Sequence, residues 1–258
     1  MKKDLLHEYE GQESIRLNRF LSDAGVCSRR EADRLIEQGK VTVDDRPAQM
    51  GMRVTEGQII KVNGRQVERK QEMVLLAVNK PRGIVCTTDR KREKDNIVDF
   101  VHYPERIYPV GRLDKDSEGL ILMTNDGTLV NHILKASEYH EKEYIVTVDH
   151  ALTGEFLSGM AGGVEIPGGM TRPCTVTRKD NFTFSIILTQ GLNRQIRYMC
   201  EHFGYRVIRL QRVRVMNIRL GHLKSGAWRK VTPAEIEGLK KQIAENQKGH
   251  RKADEHRH

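Results

Sequence analysis

The chain has 258 residues, 38% hydrophobic and 31% charged, with a formal net charge of +9 and a pI of about 9.4. Such a composition fits a soluble globular protein with one large domain, or a large and a small one. It excludes a helical membrane protein, because no stretch reaches the roughly 18 apolar residues of a span, and the basic balance favours polyanions such as nucleic acid.

The opening residues, MKKDLLHEYE, hold two lysines and no apolar segment, so no secretory signal is read and the expected location is the cytoplasm. Residues 14–67 read as a small unit of their own. Ile15, Leu17, Phe20, Leu21 and Ala24 fall at helical spacing, with Gly25 as the stop. Ser28 then stands as an N-cap with Glu31 three residues on, a capping box that opens a helix carrying Ala32, Leu35 and Ile36 and ending at Gly39. Short strands are expected over 40–43 and 58–62, with a turn over 44–47. Arg16, Arg19, Arg29, Arg30 and Arg34 are placed on the outer helix faces as candidate RNA contacts. A unit of this length has only a modest core.

Residues 68–72 are polar and read as a linker. From 73 the pattern changes to that of a larger unit running to 246. Strands are expected over 73–78, 120–124, 144–148, 171–176, 182–189 and 207–220, and helices over 96–101, 127–135, 154–160, 194–203 and 234–246. Several strands follow one another without a helix between them, which favours an α+β fold with a mixed, largely antiparallel sheet. The Gly162-Gly163 and Gly168-Gly169 pairs read as turns. Residues 247–258 are polar and read as a disordered tail, with His250, His256 and His258 too loosely placed for a metal site. The lone Trp228, beside Arg229 and Lys230, is read as core, with stacking on a base as the alternative.

The four cysteines, Cys27, Cys86, Cys174 and Cys200, lie far apart with no C-x-x-C pair, so they are expected to be reduced and structural, not zinc ligands. Between 192 and 230 the basic residues are Arg194, Arg197, Arg206, Arg209, Arg212, Arg214, Arg219, Lys224, Arg229 and Lys230, against the single acid Glu201. A one-sign stretch of that length suggests a phosphate-binding face. The densest motif is Gly111-Arg112-Leu113-Asp114-Lys115-Asp116-Ser117-Glu118-Gly119-Leu120, two glycines around a charged turn. Three carboxylates in five residues invite a calcium loop, but Asn125 stands where the bidentate Glu would be needed. No metal and no cofactor are expected.

That motif resembles the GRLDxxSxGL signature of bacterial ribosomal pseudouridine synthases of the small-subunit-A/large-subunit-B, E and F type. Three further stretches carry the resemblance, which spans residues 14–237: Lys142-x-Tyr144, Gly191-Leu192-Asn193-Arg194-Gln195-Ile196-Arg197, and the run from Leu210 to Val215. Residues 199–204 point to the F type. The N-terminal unit resembles an S4-like module, shared with one small-subunit ribosomal protein and tyrosyl-tRNA synthetase. The resemblance implies a long mixed sheet in two halves with the active site between them, and isomerisation of a uridine in large-subunit (23S) ribosomal RNA, with tRNA as an alternative second substrate. It implies Asp114 as the catalytic carboxylate, paired with Arg197, and Tyr144 stacked on the extruded base. Leu210 would pack on the pocket's other side, and Arg112 would fill the hole the base leaves. Asn193, Arg194, Arg212 and Arg214 join the N-terminal arginines as expected RNA contacts. Whether Asp114 attacks carbon-1′ or removes the 2′ proton stays open. Tyr198 departs from the family pattern, standing where relatives often carry a second arginine. Neither a membrane nor an obligate protein partner is expected. A non-catalytic RNA-binding or ribosome-assembly factor is the alternative, against which the intact Asp114, Tyr144 and Arg197 set speaks.

Overall fold

The computed structural model describes residues 14–67, 72–89, 92–134 and 139–255, with side chains to 246. Two compact units divide the chain. One takes the residues up to Val74 with two short returns, Pro104–Arg106 and Asn125–Leu129; the other holds the remainder. The expected linker at 68–72 lies largely outside the described residues.

The first unit runs β1 (Ile15–Arg16), α1 (Leu17–Asp23), α2 (Arg29–Glu37), β2 (Val41–Val43), β3 (Arg46–Pro47), β4 (Arg53–Val54), β5 (Ile60–Val62) and β6 (Arg65–Gln66). Ser28 caps α2 as expected, its hydroxyl accepting the Glu31 N–H at 3.2 Å. Asp44 and Asp45, both at positive φ, form the two-residue loop of the β2–β3 hairpin, where the twist of the strands requires that conformation. Ile15 belongs to a strand paired with Val54, not to the first helix. Leu17, Leu21, Ala32, Ile36, Val41 and Ile60 are buried together as this unit's core.

The second unit contains β7 (Leu75–Lys80), α3 (Ile97–Val101), β8 (Tyr108–Val110), β9 (Glu118–Thr124), α4 (Gly127–Leu134), β10 (Lys142–Val148), α5 (Gly154–Gly162), β11 (Glu165–Ile166), β12 (Gly169–Met170), β13 (Thr175–Arg178), β14 (Thr183–Leu188), α6 (Gln195–His202), β15 (Val207–Val215), β16 (Ile218–Arg219), β17 (Trp228–Lys230) and α7 (Pro233–Glu255). Its main sheet has the order β13-β14-β10-β15-β9-β7-β17, with β16 beside β15 and β8 beside β9. Every pairing but β15–β9 is antiparallel, so the expected α+β class and sheet character hold. β7 and most of β9 are buried on both faces, which explains their near-continuous apolar sequence.

Three expectations change. The strand read over 207–220 is a hairpin, broken at Met216, which takes a positive φ. Trp228 lies on the edge strand β17, is 41% exposed and meets the Tyr103 ring edge-on at 5.5 Å, so it is not core. The last helix continues past 246 to Glu255, contrary to the disordered tail. No proline follows Pro233, and the one glycine within 247–255, Gly249, costs a helix only about 1 kcal/mol. His256 and His258 lie outside the described residues, as does the side chain of His250.

Candidate active site

The Gly111–Gly119 motif folds as a tight turn between β8 and β9. Its two glycines sit at φ of 79° and 103°, a region closed to most side chains. Inside it, the Ser117 N–H donates to the Asp114 carbonyl at 3.0 Å. Residues just before and after the end of β7 clamp it. Lys80 is fully buried, and its Nζ donates to the carbonyls of Pro81 at 2.9 Å, Ile84 at 2.7 Å and Lys115 at 3.4 Å. The Gly83 N–H meets the same Lys115 carbonyl at 2.9 Å, and the Leu113 N–H donates to the Cys86 sulfur at 3.4 Å. Burial holds the Lys80 pKa below the usual ammonium range, opposed by nearby groups that include Asp114 and Asp116. Lys80 and Cys86 thus position the Asp114 turn. Sequence reasoning ended this strand at 78 and did not count Lys80 among the site residues; the signal was a lysine set at the end of an apolar run.

The turn forms one wall of a cavity of about 540 Å³, within the range of small-molecule sites, roughly 300–1,000 Å³. Asp114 and Arg112 come from the turn, Lys142 and Tyr144 from β10, Leu210 and Arg212 from β15. Strand alternation explains the pairs: in the antiparallel register Tyr144 stands opposite Arg212, and Val146 opposite Leu210. A further wall is the loop before α6. Gln195, buried, accepts the Leu192 N–H at 3.1 Å, and the folded loop presents exposed Asn193 and half-buried Arg194 to the cavity. Arg194 holds a positive φ at the helix start. Burial and the charge of Arg212 pull the Lys142 ammonium down to about 8.

The structure therefore gathers Asp114, Arg112, Tyr144, Leu210, Asn193 and Arg194 around one space. Leu210 is 6% exposed and also belongs to the core of this unit. Arg197 differs from expectation. It makes no ion pair with Asp114 within 4.0 Å; its guanidinium donates to the carbonyls of Asp116 at 3.4 Å and Val207 at 3.5 Å, and its Nε is buried without a partner. The two charges still sense one another, since Asp114 opposes the lowering of the Arg197 pKa by burial and by Arg194. Arg197 sits behind the turn, tying α6 to it.

The expected phosphate face is smaller than its sequence. Arg212 is 4% exposed and reaches no surface phosphate. Arg214 is held by Glu141 at 3.0 Å and Glu143 at 2.9 Å. Arg206 pairs with Asp149, Arg209 with Glu118 and Arg229 with Glu235. These acids come from other elements, so a window along the chain does not show them. In the first unit Arg16, Arg29 and Arg30 are exposed, Arg34 pairs with Glu31 on the same helix, and Arg19 is occupied by Asp23 and the Thr128 hydroxyl. Tyr198, the departure from the family pattern, packs against the core of the second unit. Among the described residues all four cysteines are free, and no helix is long and apolar enough to cross a membrane.

A family model described as RNA pseudouridylate synthase matches residues 74–202, and one described as S4 domain matches residues 15–60. The dual-specificity RNA pseudouridine synthase RluF of Escherichia coli (strain K12) is 53% identical over 232 residues, covering 89% of this chain and 80% of that protein. The ribosomal large subunit pseudouridine synthase B of Bacillus subtilis (strain 168) is 35% identical over 233 residues, covering 87% and 95%. A crystal structure of a pseudouridylate synthase matches with a TM-score of 0.65 at 27% identity, covering 88% of this chain and 100% of that one.

Proposed function

Because the chain belongs to the RNA pseudouridylate synthase family, with an S4 domain ahead of the catalytic domain, we propose that it isomerises a specific uridine of large-subunit ribosomal RNA in the cytoplasm, with Asp114 as the catalytic carboxylate. The observation that carries this is the cavity that brings Asp114, Tyr144 and Leu210 together from three separate elements. A uridine stacked in RNA cannot enter such a space, so it is extruded first. Arg112, exposed on the same turn, fills the gap left behind. The bond from nitrogen-1 to carbon-1′ breaks, the base turns, and carbon-5 takes over that bond. Carbon-5 loses its proton and nitrogen-1 gains one, so nothing is oxidised and no cofactor is consumed. Asp114 acts at the ribose, either on carbon-1′ or on the 2′ proton. Arg197 keeps the turn in place and sets a positive charge within electrostatic reach. Exposed Arg16, Arg29 and Arg30 of the S4 domain dock the RNA through phosphates. The names of the relatives favour the large subunit, and the dual specificity of one supports a second RNA, for which tRNA is the candidate.

Mapping pseudouridines in RNA from a deletion strain against its parent tests the reading: at least one large-subunit position should revert to uridine, and an unchanged map refutes it. Tyr144 gives a finer test. Its ring should hold the base by stacking, worth about 1–3 kcal/mol, while its hydroxyl serves a later proton transfer. Tyr144→Phe should bind substrate RNA almost normally and turn over very slowly. Tyr144→Ala should bind more weakly as well. Paired affinity and single-turnover measurements on one RNA decide it. Full activity in Tyr144→Phe leaves the residue a stacking platform only.

A further inference from the structure

Two cations on the cavity wall have no carboxylate partner. Arg212 is 4% exposed, yet its guanidinium makes one hydrogen bond, from Nε to the Leu120 carbonyl at 2.7 Å, and its Nη2 is buried without a partner. Lys142 donates only to the His140 carbonyl, at 3.1 Å. Neither forms an ion pair within 4.0 Å among the described residues. A buried charge left unpaired, as Arg212 is, costs several kcal/mol in general and calls for an explanation; Lys142 beside it is half-buried.

Acids are close at hand, and the backbone withholds them. Glu141 and Glu143 flank Lys142 in sequence, and both bind Arg214 instead. The register between β10 and β15 shifts at this point: Glu143 stands opposite Arg214, while the next residue, Tyr144, stands opposite Arg212. One residue, Val213, is thereby left over on β15. A bulge of this kind turns side chains two apart onto opposite faces. Arg214 goes to the carboxylates, and Arg212 goes to the cavity with Lys142, Tyr144 and Leu210. The ammonium and the guanidinium lie close enough that Arg212 lowers the Lys142 pKa. The result is a pocket wall that carries more hydrogen-bond donors than the two backbone carbonyls they meet can accept.

On the reading that this cavity receives the target uridine, we propose that Arg212 and Lys142 recognise the carbonyl oxygens of the flipped uracil and take up the negative charge of the base while it is detached from ribose. Uracil offers acceptors at both carbon-2 and carbon-4. Cytosine carries an amino group at carbon-4, a donor that would oppose the Arg212 and Lys142 donors where uracil offers an acceptor, so the pair selects uridine over cytidine. When the bond from nitrogen-1 to carbon-1′ breaks, its electron pair leaves with the base and spreads over nitrogen-1 and both oxygens. Fixed cations in a water-poor site stabilise that charge most. The pair returns in the new bond from carbon-5 to carbon-1′.

The test uses the full chain under single-turnover conditions, on a large-subunit RNA fragment carrying the mapped uridine. The target is left natural or replaced by 2-thiouridine or 4-thiouridine, whose sulfur is a poor acceptor of similar shape. The wild type should lose at least ten-fold in rate at one of the two sulfur positions. In Arg212→Met and Lys142→Met the natural rate should fall at least a hundred-fold, with RNA affinity within a few-fold, and the oxygen-to-sulfur ratio should shrink at least five-fold. Lys142→Arg, which keeps a donor cation, should recover much of the rate. If Arg212→Met does not fold, the two Lys142 variants and the wild-type ratio decide alone. Equal ratios in wild type and variants, or normal turnover by Lys142→Met, overturn the proposal. A wild type that forms no pseudouridine from the natural fragment refutes instead the functional reading on which it rests.

Discussion

Replacing Asp114 with asparagine should abolish pseudouridine formation while RNA affinity stays within a few-fold of wild type. The substitution keeps shape and size and removes one negative charge. The backbone that shapes the turn is held by groups it does not touch: the Ser117 N–H on the Asp114 carbonyl, and the Lys80 and Gly83 donors on the Lys115 carbonyl. The new amide would therefore sit where the carboxylate sits, without the charge the chemistry needs. Binding rests mainly on phosphate contacts, which a carboxylate does not make. A single-turnover assay beside a filter-binding titration separates the two effects. Any turnover by a preparation proved free of wild-type enzyme would falsify the assignment of Asp114.

The largest structural effect is expected at the other end of the same motif. At Gly119 a Cβ would overlap the Arg212 carbonyl oxygen and stand 2.8 Å from the Arg212 nitrogen, both backbone atoms of the neighbouring parallel strand. The φ of 103° adds strain of its own for any other residue. Strain of that kind costs about 1–3 kcal/mol and overpacking a further 1–3 kcal/mol, so Gly119→Ala should destabilise the catalytic domain by roughly 4 kcal/mol. At about 2–4 °C per kcal/mol for a domain this large, its melting transition should drop by on the order of 10 °C. Gly154→Ala serves as the control. Gly154 begins α5 with nothing within 4 Å of its would-be Cβ, and the change should be neutral or slightly stabilising. Equal melting temperatures for the two variants would show that β9 and β15 separate easily at Gly119.

Much of the fold and part of the site were legible along the chain. The buried strands β7 and β9 announce themselves as apolar runs, and Ser28 with Glu31 marks a helix start that the structure forms. The Gly-bracketed turn around Asp114, with Tyr144 and Leu210, converges on one cavity as the family resemblance implies. Arginines were the weak point. A charged residue in a strand has no fixed address until the pairing is known, because one extra residue at a bulge reverses the face. Arg212 and Arg214 look alike in sequence, yet one lines the cavity and the other is neutralised by two glutamates. Lys80 was overlooked for a similar reason: its partners are backbone carbonyls, which leave no trace in residue identity. Arg197 keeps its place beside the turn, but it grips carbonyls in place of the Asp114 carboxylate.

The parallel contact between β9 and β15 also governs when the cavity comes into being. Arg212 and its acceptor Leu120 are 92 positions apart along the chain. On a ribosome that adds roughly 5–20 residues per second, the Asp114 turn emerges on the order of ten seconds before the wall that faces it. Through that interval β9, apolar and meant to be covered on both faces, has β7 along one edge and β8 beside Leu122–Thr124 on the other, so only the start of that second edge, at Glu118 and Gly119, waits for β15. Closing so long a loop is an intrinsically slow step. The cavity is thus completed only when β15 has been made, long after the turn that carries Asp114.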